Sequence, residues 1–352
     1  MIKVAIVGTV GIPACYGGFE SLVENLTKNA SVGIEYKVFC SSKAYDKKLN
    51  NYNNAELIYL PLNANGAQSV LYDILSLCRC LINRPDVVLI LGVSGCIFLP
   101  IFKLLSKCRV VTNIDGLEWK RDKWGKWTKR FLKWSESLAV RYSDVVITDN
   151  NAITEYVGKE YSVLSKTIAY GGDHAVRNIE IKQKNNDYAL ALCRIEPENN
   201  IEMILDAVSQ TNTKLKFIGN WESSEFGKKL KEKYYYHHNI EIIDPIYDLD
   251  ILFELRKNCS FYIHGHSAGG TNPSLVEMMH IGVPIFCFDC DFNRHSTLNK
   301  AKYFYDSKEL KNVIESTSID EYLKLSVKMK EIAETNYTWS KISSDYEQIM
   351  FD

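Results

Sequence analysis

"IKVAIVGTVGIPACYGGFESLVENL", residues 2–26, opens on a short apolar run, crosses a loop rich in glycine and continues with Phe19, Leu22, Val23 and Leu26. Those four residues recur at i, i+3, i+4 and i+7, the spacing of one helix face. Strand, glycine loop, helix is the first unit of a doubly wound α/β fold. The alternation continues. Residues 35–40, 56–61, 86–91, 108–114, 144–150 and 166–171 predict further strands, separated by helix-like or loop segments. The polar stretch "VRNIEIKQKNND", residues 176–187, reads as a linker or domain edge. Strands at 188–195, 214–219, 240–244, 259–265 and 283–289 then interleave with helices at 201–208, 249–257 and 273–281. Two consecutive α/β halves follow, each with its own parallel sheet.

Composition narrows the class. A chain of 352 residues with 46% hydrophobic content can bury the cores of two or three domains. The formal net charge of −1 gives no global pull toward nucleic acid, and none is expected as a partner. Ten cysteines in a chain of this size, with no secretory signal at its start, read as reduced thiols in a cytoplasm. Cys78/Cys80 and Cys287/Cys290 have no second pair or His at zinc spacing, so no metal site is expected. The uncharged run 87–102 falls short of the roughly 20 residues that cross a bilayer and is broken by Gly92, Gly95 and Pro100. It reads as a buried strand, a loop and a helix start.

Ligands of doubly wound sheets bind beyond the carboxyl ends of the strands, and four such ends carry chemistry. In "GTVGIPACYGGFE" the glycines, Gly17 and Gly18 among them, let backbone approach a ligand beside a helix N-terminus. The spacing is not GxGxxG, no acid ends the second strand, and there is no P-loop, which weakens dinucleotide and ATP readings. In "CRIEPENN", Arg194 directly follows a strand, poised for phosphate or for a salt bridge to Glu196 or Glu198. In "NIDGLEW", Asp115 closes a strand, either for substrate hydroxyls and general-base work or as a turn cap.

The fourth end is "HGHSAGGTNPSLVEMM", residues 264–279. Asn272 reads as N-cap and Pro273 as the first helical residue. The amides of Ser274 and Leu275 would then face a diphosphate, with Gly269, Gly270 and Thr271 supplying the close approach. Glu277, one turn on, would accept hydrogen bonds from sugar hydroxyls.

Together with "NIDGLEWKRDKW" and "YTWSKISSDYEQI", these motifs resemble the glycosyltransferase family 4 group, most of all its bacterial rhamnosyltransferase branch of capsule and exopolysaccharide synthesis. The resemblance spans nearly the whole chain. It implies two Rossmann-like domains facing across a cleft (GT-B type): 1–172 on the acceptor side, 173–335 binding the nucleotide sugar, and a C-terminal helix 336–352 packing back toward the first. It also implies a retaining transfer of a sugar from a nucleotide diphosphate, with no cofactor beyond that donor. Arg194 would lie on the diphosphate and Glu277 on the ribose, while Asp115 orients acceptor or sugar. The family's first donor-site Glu falls on Gly269, and its Lys after the Arg falls on Asn199. Both departures point to a particular donor subset, with dTDP-rhamnose favoured because a 6-deoxy sugar fits a slimmer pocket.

Residues 119–134, "WKRDKWGKWTKRFLKW", carry seven basic residues against one acidic. Trp124, Trp127, Phe131 and Trp134 fall on one helical face, with Lys126, Lys129 and Lys133 around it. With Glu118 and Trp119 this is either an interfacial helix facing a lipid-linked acceptor at the inner membrane face or a stripe packed on the core. A hydrolase or epimerase on the same architecture, and a non-catalytic assembly partner, remain as rival readings.

Overall fold

The computed structural model describes residues 1–15, 17–121, 124–181 and 187–351. Within them the chain divides into two compact units: residues 1–170 with 339–352, and residues 171–338. Residues 182–186 of the polar 176–187 stretch lie outside the described residues, as do Tyr16 and residues 122 and 123.

Unit 1 holds strands β1 (Ile2–Val7), β2 (Ile34–Ser41), β3 (Asn51–Tyr52), β4 (Ala55–Leu60), β5 (Val87–Leu91), β6 (Arg109–Asn113), β7 (Val145–Thr148) and β8 (Lys166–Thr167). Their order is β3-β4-β2-β1-β5-β6-β7-β8, all parallel except the short β3–β4 pair. Five helices follow strands: α1 (Gly18–Lys28), α2 (Ser69–Asn83), α3 (Leu99–Leu105), α4 (Lys126–Tyr142) and α5 (Asn151–Tyr161). Strand β5 is buried throughout, as the continuous apolar run requires, and α3 starts with Pro100 in its first turn. No helix among the described residues is long and apolar enough to cross a membrane.

Unit 2 holds β9 (Tyr188–Leu192), β10 (Lys214–Ile218), β11 (Ile240–Ile243), β12 (Phe261–His264), β13 (Ile285–Phe288) and β14 (Lys302–Phe304), in the order β11-β10-β9-β12-β13-β14 and all parallel. Its helices are α6 (Ile201–Ser209), α7 (Glu225–Tyr234), α8 (Leu249–Lys257), α9 (Pro273–Ile281), α10 (Asp291–Ser296), α11 (Ser307–Ser316) and α12 (Ile319–Asn336). Ile201, Ile204, Leu205 and Val208 bury one face of α6 against this sheet. The last helix, α13 (Trp339–Phe351), belongs to unit 1 and contacts α1 and β1. Tyr346 Oη accepts from Asn113 Nδ2 at 2.6 Å, and the Ser31 amide donates to Glu347 at 2.8 Å. The two-unit α/β architecture is of the GT-B type, with each sheet reversing its strand order once: at β1/β5 in unit 1 and at β9/β12 in unit 2.

One buried carboxyl in unit 1 gives a test. Asp73 on α2 is 3% exposed, its Oδ2 accepts from the Gly95 amide at 3.1 Å, and its other oxygen has no partner among the described residues. Burial pushes its pKa up to about 8 from 3.8, the Gly95 bond opposing the rise; the neighbouring Cys96 thiol and Tyr72 are neutral there. A carboxyl raised in the fold binds more protons folded than unfolded, so its stabilising contribution is full below about 3.8 and lost as pH climbs to about 8. Asp73→Asn should flatten this decline in urea-unfolding free energy between those limits.

Candidate functional site

In unit 2, β9 and β12 are neighbours at the point where strand order reverses, so the loops leaving their carboxyl ends lie side by side. Four hydrogen bonds lace them. Asn199 Oδ1 meets His266 Nδ1 at 2.7 Å, and Asn200 Nδ2 donates to Gly265 O at 2.8 Å. Ser267 donates from its amide at 2.9 Å and its hydroxyl at 2.8 Å to Glu198 O. Gly265 is required here, since a Cβ would overlap the Asn199 carbonyl.

Arg194 leaves this scaffold exposed. Its guanidinium makes no ion pair among the described residues, so the alternative bridge to Glu196 or Glu198 is not formed. Its carbonyl is pinned by Asn199 Nδ2 at 2.7 Å. This corrects the expectation for Asn199 itself. The residue is 4% exposed and both ends of its amide are bonded within the protein, so it positions the Arg194 loop instead of facing a ligand.

Helix α9 begins as its sequence predicts and with one difference. Asn272 is the N-cap and Pro273 the first helical residue, and Gly282 closes the helix at φ 74°. The Asn272 side chain, however, accepts from the Ser274 amide at 3.0 Å and hydroxyl at 2.8 Å, while its carbonyl accepts from the Leu275 amide at 3.0 Å. The amides of Ser274 and Leu275 are therefore spent on the cap, and Leu275 is fully buried. An efficient cap satisfies the donors that a bare helix end would offer. The amides of Ala268, Gly269 and Gly270 donate no hydrogen bond among the described residues. Thr271 is buried. Gly269 sits at φ 123°, and a Cβ there would stand 3.0 Å from His266 Nε2. A side chain is thus opposed twice at this position, by backbone conformation and by the imidazole.

Glu277 is largely buried on α9 and doubly held. Arg256 Nη2, from α8, donates to its Oε2, and His174 Nε2 lies 3.3 Å from Oε1. Burial alone would raise this carboxyl, but Arg256 and then His174 hold it below the usual carboxylate range. His174 is brought there because Gly172 packs on the helix backbone, where a Cβ would meet Val276 C at 2.6 Å and Glu277 N at 2.7 Å. Neither Arg256 nor His174 was marked by the sequence reading. "GGDH" at 171–174 was the available signal, a double glycine before two polar residues. Nearby, His264 is 2% exposed with Nε2 unpartnered among the described residues, and burial pushes its pKa well below the ordinary value.

In unit 1 the first loop is more structural than expected. Gly8 lies against Leu91 and Gly11 against Cys40, and at both a Cβ would overlap a neighbour. Gly17, at φ 137°, is the N-cap of α1, and a Cβ on Gly18 would meet the Tyr170 ring at an ordinary 3.6 Å. Buried Glu20 accepts from Thr9 Oγ1 at 2.9 Å and the Val10 amide at 2.8 Å, which folds the loop back on the helix. Asp115 lies two residues beyond β6 at φ 61°, and its amide donates to Asn113 Oδ1 at 2.9 Å.

The basic aromatic segment divides. Trp119 donates to buried Glu136 at 3.0 Å, and Trp124 to Glu118 at 2.9 Å. The Lys133 ammonium lies 4.8 Å from the Trp119 ring, 4.6 Å from Tyr156 and 4.9 Å from Tyr161, with Glu160 at 2.9 Å. Glu118, Trp119, Trp124 and Lys133 are therefore half-buried and bonded within unit 1, which favours the core-packed alternative for these four. The buried Glu136 carboxylate draws Trp119 and Lys133 in, and spacing alone could not show that. Lys126, Trp127, Arg130 and Trp134 are exposed; Lys129 and Phe131 are half-buried. A separate cavity of about 660 Å³ in unit 2, lined by Tyr188, Lys214, Lys216, Glu241 and Asn258, lies at the amino ends of β9–β11, away from these loops.

Residues 174–336 match the family described as glycosyl transferases group 1, and residues 1–173 a domain of unknown function, DUF1972. No curated protein matches in sequence. Among solved structures, sucrose-phosphate synthase from Thermosynechococcus elongatus superposes with a TM-score of 0.83 at 13% identity, covering 99% of this chain and 98% of that one. Anabaena HepE, solved with UDP and with UDP-glucose, gives 0.74 at 14% identity over 99% of both chains. The α,α-trehalose 6-phosphate synthase of Burkholderia multivorans gives 0.73 at 10%, covering 99% and 96%. At these identities the likeness establishes the shared fold.

The held carboxylate makes an energetic prediction. Arg256→Leu leaves a buried charge with His174 alone and should cost about 3 kcal/mol at neutral pH. Arg256→Leu with Glu277→Leu, which removes both charges, should cost less than the single change. Glu277 is depressed in the fold, so its stabilising contribution is present above its unfolded pKa and fades as pH falls through the folded value. Urea titrations of the three proteins across that range measure both effects.

Proposed function

With a glycosyl transferases group 1 domain over residues 174–336 and a GT-B fold as premises, we propose that this protein is a retaining glycosyltransferase that takes its sugar from a nucleotide diphosphate. The observation that carries this reading is the convergence, at the strand-order reversal of unit 2, of an unpaired arginine, a glycine loop with undonated amides and a pinned carboxylate. The likeness to HepE, whose structures contain UDP and UDP-glucose, supports a nucleotide sugar as substrate.

Each group has a place in the chemistry. As the glycosidic bond breaks, negative charge grows on the leaving diphosphate. Arg194 and the amides of Ala268, Gly269 and Gly270 meet that charge, so the step draws on fixed protein dipoles instead of a bound metal. Glu277 accepts from the free hydroxyls of the nucleoside sugar, which in a dTDP donor is the 3′-hydroxyl alone. It can do so because Arg256 and His174 keep it ionised and fixed in direction. Asp115 orients the acceptor. The acceptor hydroxyl attacks from the face the diphosphate leaves, and a diphosphate oxygen takes its proton.

The favoured donor is dTDP-rhamnose, and the acceptor is a polyprenyl-diphosphate-linked saccharide of surface polysaccharide synthesis, met at the cytoplasmic face of the membrane. His266 beside Gly269 supports the donor assignment. Where the resemblance places an acid for the donor sugar, this chain has backbone and an imidazole oriented by Asn199. UDP-glucose is the second reading, favoured by the HepE complexes.

A donor panel of dTDP-rhamnose, UDP-glucose, UDP-galactose and GDP-mannose, run with a lipid-linked glucose acceptor, tests this directly. Transfer from dTDP-rhamnose, unaffected by EDTA, is expected. Arg194→Ala should lower kcat about 100-fold, and Glu277→Gln should act mainly on donor KM. Transfer from UDP-glucose alone overturns the donor assignment. Donor consumption at the same rate without acceptor overturns the transferase.

A further inference from the structure

We propose that the outward face of helices α2, α3 and α4 in unit 1 is a docking surface for an anionic lipid bilayer. The proposal deepens the peripheral-membrane part of the function above. It rests on surface chemistry that the 119–134 segment alone does not contain.

The three helices follow β4, β5 and β6, and each connects to the next strand on the same side. Right-handed crossovers therefore place them on one face of the sheet. They are also adjacent, α2 packing on α3 and α3 on α4. A helix on the outside of a domain normally turns a polar stripe to solvent. Here the outward stripes are apolar. On α2, Leu71 is 60% and Ile82 73% exposed, with Leu75 and Cys78 half-buried between them on the same stripe. On α3, Ile101, Leu104 and Leu105 are exposed at i, i+3 and i+4, Leu104 at 84%. On α4, Trp127 is 80% and Trp134 55% exposed, with Phe131 edge-on to Trp134 between them. Single exposed leucines mean nothing, but apolar stripes on three neighbouring helices form a patch that calls for a partner.

Charge selects the partner. The only carboxylates within α2, α3 and α4 are Asp73 and Glu136, and both are buried. Arg79, Lys126 and Arg130 are exposed on the same helices; Arg84 and Lys107 lie just past α2 and α3, as the exposed Asp86 and Asp144 lie just past α2 and α4, Asp144 paired with Lys103 of α3 at 2.7 Å. In a chain of net charge −1, a face with exposed cations, no exposed carboxylate in its helices and two outward tryptophans matches an anionic headgroup layer over hydrocarbon. A second copy of the same face would set cation against cation. Residues 122 and 123, just before α4, lie outside the described residues and play no part.

Flotation of the full-length protein with vesicles, in the absence of any sugar donor or acceptor, tests the surface independently of catalysis. Binding to phosphatidylcholine vesicles containing phosphatidylglycerol is expected to exceed binding to pure phosphatidylcholine and to weaken with salt. Ile101→Glu with Leu104→Glu should reduce partitioning at least about tenfold, and Lys126→Glu with Arg130→Glu by a similar factor. Leu164→Glu, at a 97% exposed leucine of unit 1 outside these helices, should leave it unchanged. Thermal unfolding of each variant confirms that it folds. Equal binding by the wild type and both double variants overturns the proposal. So does a concentration-dependent dimer that Leu104→Glu dissolves while vesicle binding is absent. Lipid binding without sugar transfer would overturn the transferase and leave this surface standing.

Discussion

A carboxylate enclosed in a helix must be compensated, and the compensation of Glu277 organises one side of the unit 2 site. Arg256 reaches it from α8, and His174 reaches it from a turn that sits on α9 only because Gly172 has no side chain. Two separate stretches of chain are thereby fixed to one helix. The price of burying the acid is offset by its partners, and what remains is an ionised acceptor with a set direction beside the β9/β12 reversal. On the other side, Asn199 does comparable work without charge: one amide holds the Arg194 carbonyl and the His266 ring together. The arginine itself is left to solvent, which is the state in which a phosphate can claim it.

Most of the fold was legible because it rests on local rules. Apolar runs of strand length, the 3.6-residue spacing of α1 and α6 and the Asn272–Pro273 start of α9 specify elements whose partners are then limited by right-handed connection. The antiparallel β3 and β14 were not read, since short edge strands carry little apolar pattern, and helices α7 and α10–α12 were not read either. The site was legible in part. Arg194, Glu277 and the glycine loop could be marked because strand ends are where such folds bind ligands. Their partners could not. Arg256 looks like any arginine in the last turn of a helix, and its meeting with Glu277 is a long-range contact. The same limit explains Ser274 and Leu275. Reading Asn272 as a cap was correct, and its consequence is that a good cap consumes the amides behind it, while those of residues 268–270 donate no hydrogen bond among the described residues.

The basic aromatic helix shows how periodicity can be right and incomplete. Its spacing marks α4 correctly, but Glu136 draws Trp119 and Lys133 inward, while Trp127 and Trp134 stay outside. One helix thus serves a core and a surface. The surface becomes interpretable only beside α2 and α3, whose apolar stripes look unremarkable in sequence because buried helices carry the same pattern.

A crystal structure of the protein with dTDP bound tests the central assignment most directly. The diphosphate is expected within hydrogen-bond distance of Arg194 and the amides of residues 268–270, with the deoxyribose 3′-hydroxyl on Glu277. Nucleotide found instead in the 660 Å³ cavity at the amino ends of β9–β11, with the Arg194 loop empty, would contradict it.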